Sequence, residues 1–322
     1  MMNDTNNYIE IKMALSQLQS DIINCIMAGH YEEFKILEFL YHKEITALTH
    51  INYFPADNHN YITADNLLYM HLKTAIASRK IKPYIQPIVD NNKQIIGGEV
   101  LARWMGKDNL ISPSYFIPLM EDMGLLVEMT ASLLEQLIAA PYQYPKKTRL
   151  SINITEEVLI DETILCYINV LSASFIIILE ITETSNFSYS TEIINIMHKL
   201  QLQGVKFALD DFGIGYSTLA SFNQYPFDII KIDRSFIENI VTSRKLQLTV
   251  LNIAQLCQLF NIIAVAEGVE TQAQEDYLRS ININHYQGYL YSLPRHFEEY
   301  LLMISTMNNE QSTANADIIH AP

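Results

Sequence analysis

Asp210 and Asp211 stand side by side where the apolar run "KFAL" stops and the glycine-rich "FGIGYSTL" begins. Similar groups recur along the chain: Glu99 in "QIIGGEVLARW", Asn153 near the end of "RLSIN", Glu180 near the end of "FIIILE", Lys231 in "IIKID", Glu267 after "IIAVA" and Gln287 in "HYQG". One carboxylate at the end of an apolar run is ordinary. Five acids gathered in one place with two amides are electrostatically costly unless cations sit among them. The set holds no histidine or thiol, and its oxygens are hard ligands, so magnesium or manganese suits it better than zinc or copper. Adjacent Asp210 and Asp211 fit a pair of ions, since one carboxylate can bridge while its neighbour serves the second. Sites of that kind, with metals about 3.5–4 Å apart, clamp the attacking and leaving oxygens of an in-line phosphoryl displacement. Lys231 supplies a fixed cation for the attacking water or for charge on the phosphorus oxygens, although a lysine seen alone reads equally well as a salt bridge. Arg103 has the planar fork suited to a substrate phosphate. Gly213 and Gly215 allow a tight turn after the ligands, and Glu183 either anchors that turn or serves the core.

Bringing these groups to one mouth requires repeated strands. Eight short apolar runs, "KPYIQPIVD", "QIIGGEVLARW", "RLSINIT", "FIIILEIT", "KFALDD", "DIIKIDRSF", "IIAVAEGVE" and "HYQGYLYS", are interleaved with helical patterns such as "SPSYFIPLMEDMGLL", "STEIINIMHKLQLQG" and "RKLQLTVLNIAQLCQLF". The alternation predicts a modified (β/α)8 TIM-like barrel, α/β in class, whose site forms at the C-terminal ends of the strands; a doubly wound open sheet is the alternative. The first two runs are separated by "NNK" and predict a hairpin, hence an antiparallel first strand. Over residues 1–60, Ile11, Leu15, Leu18, Ile22 and Ile26, then Phe34, Leu37, Tyr41, Ile45 and Leu48, recur with helical spacing and predict a small α-helical N-terminal appendage. The polar stretch 54–66 reads as a linker or helix cap, and 306–322 as a loose tail.

At 322 residues and 49% apolar content, the chain can bury a large core beside a small appendage. Its net charge of -15 repels nucleic acid and anionic membrane, so a phosphate ligand needs locally supplied cations. Residues 1–60 carry three basic side chains, Lys12, Lys35 and Lys43, against eight acidic ones, which disfavours DNA binding by the helical pair and favours a packing, dimerising or partner-recruiting role. No run approaches the roughly 18 uncharged residues of a membrane span, and "MMNDTNNYIEIK" lacks the order of a signal peptide, so a cytoplasmic protein is expected. Cys25, Cys166 and Cys257 are few and far apart, the pattern of free thiols.

These segments resemble those of the EAL domain family of bacterial cyclic di-GMP phosphodiesterases. The signature triplet stands as "EVL", Glu99 to Leu101, within "GGEVLARW". It is accompanied, in order, by "QPIVD" at 86–90, "FIPLMEDMGL" at 116–125, "SINIT" at 151–155, "LEITE" at 179–183, "DDFGIGYSTL" at 210–219, "KIDRSF" at 231–236, "AEGVET" at 266–271 and "QGYLYSLP" at 287–294. Each motif is short, but their order and spacing are specific, and the resemblance covers residues 66–303. It implies hydrolysis of cyclic di-GMP to linear pGpG with two magnesium or manganese ions, in a homodimer. It also implies that Glu99, Asn153, Glu180 and Asp210 hold the first ion and that Asp210 and Asp211 hold the second. Glu267 is then a further ligand or the general base, Lys231 and Gln287 position water and the ligand network, Glu183 braces the loop, and Gln86, Leu101 and Arg103 meet the substrate. The chain departs from the family pattern at Val100 for alanine, Ile214 for threonine and Thr218 for serine; the Ile214 change removes a hydroxyl that could brace the loop.

Two rivals remain at this point. A non-catalytic EAL protein that binds cyclic di-GMP or a protein partner would be marked by missing ligands, and here all are present. A glycosidase also places paired carboxylates on barrel strand ends, but Asn153 and Lys231 among the acids and a single tryptophan for stacking sugars count against it. "DFG" lacks the "HRD" loop of kinases, and "GIGYST" is only a fragment of a dinucleotide fingerprint.

Overall fold

The computed structural model describes residues 17, 18, 21, 64–106, 110–140, 148–182, 190–213 and 225–305. The expected helical pair over 1–60 and the tail 306–322 therefore lie outside the described residues, apart from Gln17, Leu18 and Asp21, which are helical. The chain forms two compact units, one of residues 1–82 with 102–132 and one of residues 83–101 with 133–322.

In the smaller unit, α1 (Ala64–Ala77) buries Leu68, Leu72, Ala75 and Ile76 along one stripe. Trp104 is 1% exposed, lies edge-on to Phe116 with ring centroids 5.7 Å apart, and has His71 on its other contact at 5.4 Å. Burial pushes the His71 imidazole below its ordinary pKa, helped by the charge of Lys80. The two-residue strand β3 (Leu110–Ile111) pairs with Trp104 and Met105, and Pro113 opens α2 (Pro113–Asp122), where a missing N–H costs nothing.

The larger unit holds the barrel. Its strands are β1 (Ile81–Asp90), β2 (Ile95–Met105), β4 (Arg149–Asn153), β5 (Ile176–Thr182), β6 (Lys206–Phe212), β7 (Ile229–Ile232), β8 (Ile263–Ala266) and β9 (His285–Gln287). Parallel pairing runs unbroken from β2 through β4, β5, β6, β7 and β8 to β9, and β1 closes the ring by pairing with both β9 and β2. Since β1 runs antiparallel to β9, it is antiparallel to the others as well, as the short "NNK" connection predicts. That turn is held by Asp90, whose Oδ1 accepts from the backbone N–H groups of Asn92 and Gln94 at 2.8 and 2.9 Å. A further short strand, β10 (Arg295–His296), pairs with Tyr84 and Ile85, while β9 takes over at Ile88. Pro87, which has no N–H to give, falls in the gap between the two pairings.

The described crossovers are helical: α3 (Leu126–Ala139) before β4, α4 (Glu156–Ile160) and α5 (Glu162–Ser172) before β5, and α6 (Thr191–Leu202) before β6. The short α7 (Arg234–Ile237) and long α8 (Arg244–Phe260) precede β8, and α9 (Gln272–Ser280) precedes β9. Helix α8 coincides with the run "RKLQLTVLNIAQLCQLF". Ser243 caps it by accepting from Leu246 N, and Asn261 ends it in the left-handed region at φ 56. Val250, Ile253, Ala254 and Cys257 recur at helical spacing and pack on Ile230, Ile232 and Ala266 of the barrel's outer face. Each such aliphatic side chain contributes roughly 1.5–3 kcal/mol on burial. Strands β5 to β8 are thus covered on both faces, which is why they read as continuous apolar runs rather than alternating ones.

Candidate active site

Side chains of a strand alternate between its faces, so every second residue points into the barrel. Inside, Ile88, Ile178, Ala208, Ile229 and Val265 form an apolar layer. Two residues towards the C-terminal ends of β5, β6 and β7 come Glu180, Asp210 and Lys231, while Glu267 follows the end of β8. Strand β2 adds Glu99, β4 Asn153, β9 Gln287, and antiparallel β1 adds Gln86.

Lys231 is the hub. Only 1% exposed, its Nζ lies 3.1 Å from Glu99 Oε2, 2.9 Å from Glu180 Oε2, 3.1 Å from Asp210 Oδ1 and 2.7 Å from Glu267 Oε1. Glu99 is further held by Asn153 Nδ2, which donates to Oε1 at 2.9 Å, and by Gln287 Nε2, which donates to Oε2 at 2.7 Å. Gln287 Nε2 also reaches Gln86 Oε1 at 3.2 Å, and Gln86 Nε2 donates to the Ser292 carbonyl at 3.4 Å. The Ser292 contribution is a backbone acceptor and has no side-chain signature by which the sequence could reveal it.

Asp211 reaches the site by a local irregularity. In a regular strand it would face away from Asp210. Here Leu209 pairs with Ile230 but Phe212 with Ile232, so β6 carries one residue more than β7 between the two pairs. Asp211 takes up the excess at φ 54, a left-handed conformation that aspartate tolerates better than most residues. As a result Asp210, Asp211 and Glu267 can offer carboxylate oxygens within 4.8 Å of one another, as can Glu99, Glu180 and Asp210. Asp210 belongs to both groups.

Among protein groups alone the charges do not balance. Five carboxylates surround one ammonium. Burial, the largest influence, drives Glu180 well above the usual carboxylate range, and Glu99 and Asp210 add to it against the pull of Lys231. Burial likewise raises Asp210, and pushes Glu267 to about 8 despite Lys231. Asp211 is pushed up to about 6 by burial and then by the charges of Asp210 and Asp233. Glu99 goes the other way: burial would raise it, but Lys231 and the hydrogen bonds from Gln287 and Asn153 hold it below its ordinary value. Burial would lower Lys231, yet the surrounding carboxylates, Asp210 and Glu180 foremost, keep it well above the usual lysine range. Glu180 Oε1 and Asp210 Oδ1 are buried without a hydrogen bond, Asp210 Oδ1 being within ion-pair distance of Lys231 but receiving no directed N–H. An all-oxygen donor set with buried, unsatisfied carboxylate oxygens fits hard divalent cations.

The structure thus brings together Glu99, Asn153, Glu180, Asp210, Lys231, Glu267, Gln287 and Gln86, with Asp211 beside them. Leu101 lies half-buried on β2, two residues beyond Glu99. Arg103 falls in the smaller unit, where its Nη1 donates to the Ala102 carbonyl at 2.9 Å. Glu183, Gly215, Ile214 and Thr218 lie outside the described residues.

Comparison with known proteins agrees with this architecture. The EAL domain family matches residues 70–294, more than half of the chain. The cyclic di-GMP phosphodiesterase PdeL of Escherichia coli is 34% identical over 273 residues, covering 80% of this chain and 74% of PdeL. Of several other curated relatives the chain spans less than half the length, for example 46% of PdeG and 28% of a Caulobacter vibrioides signalling protein. Among solved structures, the PaMucR phosphodiesterase in complex with cyclic di-GMP superposes with a TM-score of 0.63 at 30% identity, over 73% of this chain and all of that one. The manganese and cyclic di-GMP complex of Klebsiella pneumoniae BlrP1 superposes with a TM-score of 0.57 at 28% identity, over 67% of this chain and 56% of BlrP1. With the barrel, the order of motifs and the carboxylate cluster all in agreement, the chain belongs to the EAL domain family.

Proposed function

We propose that this protein hydrolyses cyclic di-GMP to linear pGpG with two divalent ions, magnesium or manganese. The observation that carries the reading is the charge imbalance around Lys231: five carboxylates from four strands, most of them buried, with Glu180 Oε1 and Asp210 Oδ1 left without a hydrogen bond. Glu99, Asn153, Glu180 and Asp210 hold one ion, and Asp210, Asp211 and Glu267 the other. When bound, such ions polarise the phosphodiester and offset the charge that builds on its oxygens.

The protein's own groups do the rest. Asn153 and Gln287 fix the Glu99 carboxylate by hydrogen bonds to different oxygens, so it presents one defined geometry. Lys231 ties four carboxylates together and keeps them near the reacting phosphate. Gln86 and Leu101 line the approach for substrate. Water adds to one phosphorus in line with the P–O3′ bond, which breaks; the proton leaves to a carboxylate, and the departing 3′ oxygen gains one, leaving a 5′ phosphate on the product. By lowering cyclic di-GMP, the enzyme would move the cell between motile and biofilm states. We also propose that it acts as a cytoplasmic homodimer, which sedimentation at micromolar concentration would test; among the described residues no helix is long and apolar enough to cross a membrane.

The test is release of pGpG from cyclic di-GMP by the full-length protein with and without EDTA. Release that stops with EDTA and returns with manganese is expected. A folded protein that binds cyclic di-GMP but releases no pGpG with any divalent ion would make it a binding regulator instead.

A further inference from the structure

The short helix α7 follows Lys231 almost at once and touches the turns on both sides of it. Asp233 caps α7, accepting from Ser235 N at 2.8 Å. From this turn Phe236 lies over Gly213: a Cβ on Gly213 would fall 2.7 Å from the ring's Cζ and 2.8 Å from its Cε2. Gly213 stands two residues after Asp211, at φ +103. From the same turn the stem of Arg234 lies over Gly268, where a Cβ would meet Arg234 Cγ first, then its Cβ at 2.7 Å and its Cδ at 3.0 Å. Gly268 stands directly after Glu267, at φ +65, and the Arg234 guanidinium pairs with Glu270 at 3.1 Å. Both glycines adopt a backbone that other residues avoid, and both are packed so closely that no side chain fits. Core burial does not account for the Arg234 contact, because that side chain is 53% exposed, whereas the half-buried Phe236 also packs against the core. What the two contacts share is what they flank: Asp211 on β6 and Glu267 after β8, which complete a carboxylate group with Asp210.

We propose that α7 is a bracket, with Phe236 and Arg234 as positioning residues that hold the Asp211 and Glu267 turns at the separation the second ion requires. The left-handed Asp211 persists only because its surroundings enforce it, and Phe236 on Gly213 is the enforcing contact. Arg234, braced by Glu270, does the same for Glu267 through its aliphatic stem. Neither side chain acts on the substrate. This inference rests on the two-ion reading above and adds to it the elements outside the ligand set that hold the second position's ligands in place.

The test is calorimetric titration of Mn2+ into the EDTA-stripped full-length protein, wild type beside Phe236→Ala, Arg234→Ala and Phe236→Leu, together with steady-state kinetics. Wild type should bind two ions. Phe236→Ala should weaken one of them at least tenfold and leave the other within threefold, lowering kcat while KM for cyclic di-GMP moves less than threefold. Phe236→Leu, which keeps bulk over Gly213, should recover most of the lost affinity. Arg234→Ala removes an exposed side chain and leaves the core alone, so it should weaken the same ion even if Phe236→Ala does not fold. Two ions bound unchanged in Arg234→Ala and in folded Phe236 variants, or both ions weakened equally, would overturn the bracket while leaving the two-ion reading intact. Failure of the wild type to bind Mn2+ would overturn both.

Discussion

Ile178, Ala208, Ile229 and Val265 stand two residues before Glu180, Asp210, Lys231 and Glu267, on or just beyond the same four strands, yet the two layers differ in almost every physical respect. The lower layer is apolar and satisfied by packing alone. The upper layer is among the most heavily charged and most deeply buried parts of the chain, with oxygens that protein groups do not satisfy. One layer explains the other: an apolar floor beneath the carboxylates lowers the local dielectric and makes every charge above it count for more. Alternation along the strand lets one barrel hold both, the floor supplying stability and the layer above giving some of it up for chemistry.

If that division holds, changes in the two layers should have opposite signatures. Asp210→Asn removes a charge shared by both carboxylate groups and should lower turnover by about 10³-fold or more, equal to about 4 kcal/mol of barrier at ~1.4 kcal/mol per decade. Because burial disfavours the ionised form of Asp210, the same substitution should raise the melting temperature of EDTA-stripped protein, measured by scanning fluorimetry. Lys231→Met leaves the carboxylates without their hub and should cost about 3–5 kcal/mol in denaturant melts with EDTA present. Part of that loss should return on adding Mn2+, and kcat should fall more than Mn2+ affinity; an unchanged rate would reduce Lys231 to a structural ion pair. Ile229→Ala, one step below, should cost roughly 2–5 kcal/mol of stability through the cavity it opens, with turnover per folded molecule close to wild type.

The smallest expected effect is on pH dependence. Glu267 and Asp211 are pushed up to about 8 and about 6, so the folded state holds their protons more tightly than the unfolded chain does. Their contribution is then fully present below the ordinary carboxylate range and is lost as pH rises through about 6 and then about 8. EDTA-stripped protein should therefore become less stable across that interval. Protein loaded with Mn2+ should show the slope reduced or reversed, because the ions require deprotonated ligands.

Much of the site was legible because strand ends are marked by where apolar runs stop, and the acids sit at those marks. The strands themselves were legible for the same reason, even β7, whose run "IIKI" hides Lys231 among isoleucines. Asp211 was expected beside Asp210 in the site, but the means was hidden, since a strand pattern puts it on the opposite face and only the extra residue against β7 turns it inward. The bracket was hidden as well: "DRSF" reads locally as a capped helix start, and nothing in four residues tells which glycines it will meet across two neighbouring turns. The hydrogen bonds that fix Glu99 join β2 to β4 and β9, residues 54 and 188 positions apart, a proximity that only barrel closure supplies.

The most direct measurement is the number of Mn2+ ions retained per chain after equilibrium dialysis of EDTA-stripped protein, read by elemental analysis beside Asp210→Asn. Two ions in the wild type and fewer in the variant are expected, since Asp210 serves both carboxylate groups. Folded wild-type protein that retains none, or as many as the variant, would contradict the view that divalent cations make this concentration of buried charge tolerable.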